Sequence, residues 1–110
     1  MKMYRPQASY RPESGDLRTI GLAYGMNCPN YRQVFDVFRA YHDHADPVVR
    51  ANVVLGIMYA CRRFDRCDPR LIKPLLMHGL RDGERMVRDN AETVAADLKY
   101  CFKVSFGGRA

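Results

Sequence analysis

From residue 17 onward, apolar positions recur every three to four residues, and nowhere do they alternate in twos between hairpin turns. The pattern predicts helices and no sheet. Asp16 is placed to cap a short segment, Leu17–Met26, weakened by Gly21 and Gly25. Asn30 followed by Gln33 resembles a capping box. It opens a helix running to about His42, with Val34, Val37, Phe38 and Tyr41 on one face. Asp46-Pro47 is the clearest start in the chain, an acidic cap followed by proline at the first helical position. That helix is predicted to reach Phe64 and to bury Val49, Val53, Ile57, Ala60 and Phe64. Asp68-Pro69 repeats the signal for a helix to about Leu80, in which Pro74 should cause a bend or shift the start. A last helix, from about Glu84 to Phe102, buries Val87, Ala91, Val94, Leu98 and Phe102.

The two long helices match at an offset of 38 residues: Val49 with Val87, Arg50 with Arg88, Asn52 with Asn90 and Phe64 with Phe102. Asp46 falls on Glu84, so acid-x-x-x-Arg opens both. Ahead of them, Val34, Val37 and Phe38 fall on Ile72, Leu75 and Leu76. A period near 40 with two helices per unit is the mark of an α-solenoid. Asp46-Pro47-Val48-Val49-Arg50-Ala51 with Leu55-Gly56, and Glu84-Arg85-Met86-Val87-Arg88 with Ala91, resemble the HEAT repeat family over roughly residues 31–102. Leu17-Arg18 with Leu22-Ala23 and Gly25 is a fainter echo of a leading unit. The resemblance implies an all-α fold, a short HEAT-like helical bundle of four to five helices. Arg50 stands four residues after Asp46, and Arg88 four after Glu84. Each pair can therefore meet on a helix surface, or each arginine can reach a neighbouring turn. These four residues read as structural ion pairs.

Composition adds a basic balance. The 110 residues carry 18 Lys and Arg against 12 Asp and Glu, net +6. Residues 1–32 hold five of the bases and only two acids. Residues 1–15 read as a flexible basic arm in which Tyr4-Arg5-Pro6 is echoed by Tyr10-Arg11-Pro12, because each proline blocks a helix. Residues 16–103 form the helical domain and 104–110 a short tail. Arg62-Arg63-Phe64-Asp65-Arg66-Cys67-Asp68-Pro69-Arg70 is the densest basic stretch. With Arg5 and Arg11 it offers a surface for a protein partner or for nucleic acid, since arginine suits both. No run of about 20 apolar residues is present, so no membrane partner is expected. Cys28, Cys61, Cys67 and Cys101 form no C-x-x-C pair, and the start of the chain has no apolar export run. Reduced thiols and a cytoplasmic location are the expectation, with the nucleus as the alternative for a eukaryotic or viral source.

Catalytic chemistry finds little support. No phosphate loop, nucleophile elbow or H-E-x-x-H is present, and His42-Asp43-His44-Ala45-Asp46 has no second ligand cluster. Hence no enzyme activity, cofactor or metal is expected. The leading expectation is a protein-interaction module, such as an adaptor, a viral or phage accessory factor or an immunity-type protein. Nucleic-acid binding is the alternative. Phe102, Val104 and Phe106 extend the apolar pattern past the last helix, and a stack of two and a half units leaves its flanks uncovered. This predicts a homodimer or an obligate partner, against an arm that folds back and leaves a monomer.

Overall fold

The computed structural model describes residues 10–13 and 15–106, and every regular element among them is helical. A single 3-10 turn, Leu17–Thr19, leads into α1 (Ile20–Asn27), followed by α2 (Tyr31–Tyr41), α3 (Pro47–Phe64), α4 (Pro69–Leu80) and α5 (Arg85–Phe102). Tyr4 and Arg5 lie outside the described residues.

Side-chain oxygens fix where the helices start. Asn30 accepts from Gln33 N at 2.9 Å, Asp46 from Val48 N at 2.9 Å and Asp68 from Arg70 N at 3.2 Å. Losing such a cap costs about 1 kcal/mol. Glu84 makes no capping bond; Asp82 takes the Glu84 N–H instead, at 2.9 Å. Only half of the capping box at Asn30 forms, because the Gln33 side chain turns away to the backbone of Tyr10. Pro74 neither interrupts α4 nor displaces its start, which stays at Pro69. Both long helices end in a left-handed residue, Asp65 at φ 51° and Lys103 at φ 61°. These two stops again lie 38 positions apart.

The helices form two layers. α1, α3 and α5 lie side by side with α3 in the middle, and α2 and α4 lie across them. Between the layers, Phe38, Ile57, Ile72, Leu76 and Leu98 lose all contact with water. The predicted faces of α3 and α5 are the buried ones, with Phe64 and Phe102 at their partly covered ends. On α2 the buried face is Val34, Phe35 and Phe38, and Val37 is only half-buried. The face is rotated because Phe35 packs against both Tyr31 and Phe38, with ring centroids 4.9 and 5.2 Å apart.

The closest helix approach is between α1 and α3. A Cβ on Gly21 would stand 2.5 Å from Val53 Cα, and one on Gly25 would stand 2.5 Å from Gly56 O. Gly56 faces them from α3. The two glycines that weaken α1 as a helix thus let its backbone rest directly on that of α3.

Candidate functional site

The basic stretch at the end of α3 is largely taken up by the fold. Arg62 pairs with Asp97 on α5 through its Nε, 3.1 Å from Oδ2. Arg63 reaches the end of α1, donating to Gly25 O at 3.1 Å and Cys28 O at 2.6 Å, and so satisfies carbonyls that a helix terminus leaves open. Its guanidinium also lies 4.4 Å from the centre of the Phe64 ring. Arg66 stacks over Tyr31 at 4.1 Å. Arg70 stays exposed, lining a shallow groove with Lys73, Met77 and Arg81 along the outer edge of α4. Arg11 is also exposed and lies beside Ala23 and Asn27 of α1, the helix whose end Arg63 reaches. Three of the stretch's four arginines thus act as internal ties while remaining exposed.

Of the two arrangements expected for Arg50, a pair within its helix or a reach to a neighbouring turn, the structure has the second. Arg50 does not pair with Asp46. Its fork closes on Asp82, Nε to Oδ2 at 2.8 Å and Nη2 to Oδ1 at 3.0 Å, while its Nη1 donates to His44 O at 2.7 Å. Asp82 is the one buried charged residue among those described, and the Arg50 hydrogen bonds hold its carboxyl below the ordinary carboxylate range. Asp46 takes Arg18 instead, at 3.3 Å, and its carboxyl is held low chiefly by the Val48 N–H. Arg88 donates to Asp82 O at 2.8 Å, the same bond from the same helical position as Arg50 to His44 O. Intra-helix spacing favoured the short pairs, but the turn carbonyls and Asp82 offer better-aligned acceptors. Asn52 and Asn90 are a further matched pair. Each donates across to the preceding helix of its layer, to Arg18 O at 2.8 Å and Ala51 O at 3.1 Å.

The histidines diverge. His44 Nδ1 accepts from Asp46 N at 3.0 Å, whereas His42 packs edge-on against His78 of α4, centroids 4.7 Å apart. Burial, reinforced by His78, lowers the His42 pKa. Among the described residues no group of three or more His, Cys, Asp or Glu is arranged to hold a metal ion. All four cysteines are free thiols, and burial pushes the Cys61 thiol far up, away from the nucleophilic thiolate form.

The outer face of the α1–α3–α5 layer has a different character. Among the described residues, the four large apolar side chains that remain exposed are Tyr100 at 79%, Met26 at 48%, Met86 at 44% and Leu17 at 38%. Three lie on α1 or α5 of this layer, and Leu17 lies on the turn that leads into α1. Between them run Val48, Leu55 and Tyr59 of α3, half-buried and spaced at seven and four residues on one stripe. Ion pairs fringe the stripe: Arg18 with Asp46 at one edge and Arg62 with Asp97 at the other. Sequence reasoning passed over this face because its residues fall outside the two strongly periodic stripes. A seven-residue spacing of Met86, Thr93 and Tyr100 was the available signal.

The ends of the stack are covered. At one end, Tyr10 packs on Tyr24, centroids 4.9 Å apart, and Phe106 and Phe102 pack against the core at the other. On α5, the positions matching Ala51, Val54, Met58 and Cys61 are Asp89, Glu92, Ala96 and Lys99, all exposed. The free flank of α5 is polar, and the exposed apolar residues of this helix, Met86 and Tyr100, lie apart from those four positions. No helix among the described residues is long and apolar enough to cross a membrane. Comparison with family models, with curated proteins and with solved structures gives no match.

Proposed function

We propose that this chain is a non-enzymatic protein-interaction module, a short α-solenoid of HEAT-like units that holds a protein partner against the outer face of α1, α3 and α5. The observation that carries this reading is the apolar stripe of Met26, Leu55, Tyr59, Met86 and Tyr100 between two edges of ion pairs. Methionine, tyrosine and arginine are enriched in protein interfaces. The repeated turn bonds of Arg50 and Arg88, and the cross-helix bonds of Asn52 and Asn90, support the repeat reading.

Nucleic-acid binding is the second reading, and it rests on Arg70, Lys73 and Arg81 along α4 together with Arg11. One pull-down from the source cell separates the two, with wild type, Met86→Asp/Tyr100→Asp and Arg70→Glu/Lys73→Glu as baits, with and without nuclease. The proposal expects capture that survives nuclease and the α4 variant and is lost with the α5 variant. Capture lost to nuclease or to the α4 variant, with a steep fall in salt, would assign the function to nucleic acid.

A further inference from the structure

The segment from Tyr10 to Pro12 is held as a ligand is held. Its backbone at Tyr10 is read from both sides by one side chain: Tyr10 N donates to Gln33 Oε1 at 3.5 Å, and Gln33 Nε2 donates to Tyr10 O at 3.4 Å. Tyr24 Oη donates to the same carbonyl at 2.9 Å. The amide of Gln33 is thus used as a strand neighbour would be, offering an acceptor and a donor to one residue of extended chain. Its orientation is set from below by Cys28, whose Sγ lies 3.6 Å from Oε1. The Tyr10 ring meets the Tyr24 ring at 88°, with centroids 4.9 Å apart, an edge-to-face contact. Arg11 and Pro12 continue along α1 beside Ala23 and Asn27. Burial raises the Tyr24 pKa, so the phenol stays protonated and remains a donor.

Every contact here is to backbone, to an aromatic ring or to the residues next to it. None depends on the ligand being residues 10–12 in particular. The chain carries the same triplet once more, Tyr4-Arg5-Pro6, six residues earlier. A proline disfavours helical geometry in the residue before it, so the Tyr-Arg-Pro sequence suits the non-helical chain that the Gln33 amide reads at Tyr10. We propose that the cleft formed by Tyr24, Gln33, Ala23 and Asn27 is a recognition site for extended Tyr-Arg-Pro segments, that Tyr10-Arg11-Pro12 fills it in cis, and that Tyr4-Arg5-Pro6 is a second ligand for it. The site is separate from the apolar face of the α1–α3–α5 layer, so it stands or falls independently of the partner reading.

The test uses the full chain and a fluorescein-labelled peptide of the sequence Met3-Tyr4-Arg5-Pro6-Gln7-Ala8. Tyr4→Ala/Tyr10→Ala removes both internal competitors. A tethered ligand acts at millimolar effective concentration, so vacating the cleft should tighten peptide binding by about tenfold or more over wild type. Adding Gln33→Ala should reverse that gain, Tyr24→Phe should weaken binding while keeping the ring, and a peptide with alanine for tyrosine should not bind. Circular dichroism confirms that each variant is folded, and Tyr24→Phe, which deletes one hydroxyl, covers the case in which Gln33→Ala is not. Binding by the vacated chain no tighter than by wild type, or unaffected by Gln33→Ala and Tyr24→Phe, would overturn the proposal.

Discussion

α3 meets its two layer neighbours by opposite means. Toward α1 it presents Gly56 to Gly21 and Gly25, and main chain lies on main chain with no side chain between. Toward α5 it presents Ala51 and Val54, with charged ties from Arg50 to the turn at Asp82 and from Arg62 to Asp97. The first junction gains contact area through closeness and has no room to adjust. The second is built from side chains that can shift by tenths of an ångström. One helix therefore carries a brittle edge and a compliant edge, and the sequence signals for the two differ accordingly.

The sharpest way to break this contrast is to add one methyl group at each junction, at Gly56 between α3 and α1 and at Gly79 of α4, which packs on the seam of α3 and α5. A Cβ at Gly56 would overlap Gly21 O, which cannot move without α1, whereas a Cβ at Gly79 meets only Val54 Cγ2 at 3.1 Å and Ala91 Cβ at 3.2 Å. Gly56→Ala is expected to cost about 3 kcal/mol or more and Gly79→Ala about 1 kcal/mol or less, read from urea unfolding midpoints. Similar losses at the two positions would show that the junctions are equally stiff.

Next come the ties. Asp82→Ala leaves Arg50, with a side chain only 16% exposed, without its carboxylate, and about 3 kcal/mol should be lost. Asp97→Ala frees an arginine that is 52% exposed, so under about 1 kcal/mol is expected. The folded pKa of Asp82 is lowered, so its share of stability is present above the unfolded carboxylate value and disappears as the pH falls through the folded one. An Asp82→Asn chain should lack that portion of the acid-unfolding curve. An unchanged curve would mean that the pair contributes nothing.

A smaller effect belongs to the second layer. The folded pKa of His42 is lowered by burial, with His78 packed against it and the Asp43 carboxylate opposing. The unfolded chain therefore binds the extra proton first. Stability is fully present above the ordinary value of 6.5 and declines as the pH falls below it. Melting temperatures between pH 7.5 and 5 should fall in wild type and fall less in His42→Gln. Equal slopes would remove the assignment.

The smallest expected change is a gain. Asp65 and Lys103 both hold positive φ at the ends of α3 and α5, and glycine adopts that geometry without strain. Lys103→Gly should add up to about 1 kcal/mol, visible as a higher melting temperature. A loss there would show that the Lys103 ammonium, 5.7 Å from the centre of the Tyr100 ring, matters more than the backbone.

These two edges also explain what could be read in advance. The helix starts at Asp46-Pro47 and Asp68-Pro69, and the buried stripes of α3 and α5, were legible because caps and 3.6-residue periodicity are local signals. The compliant edge was partly legible, since matched positions at an offset of 38 fall on the same side of matched helices. The brittle edge was not. Gly21 and Gly25 read as helix weakeners because propensity scores residues singly, whereas their four-residue spacing places both on one face. The arginines of 62–70 were counted by charge, and a charge count does not register that Arg63 ends α1 or that Arg66 covers Tyr31. Gln33 was given to its own helix because a local partner is cheaper to imagine than Tyr10, 23 residues away.

The polar flank of α5 has a bearing on what can pack beside it. Asp89, Glu92, Ala96 and Lys99 occupy the places where α3 offers Ala51, Val54, Met58 and Cys61 to its neighbour. A helix laid against that flank would meet two carboxylates and an ammonium. Any helix seated on that side of α5 would have to pair those charges or see them replaced, since an unpaired buried charge is costly.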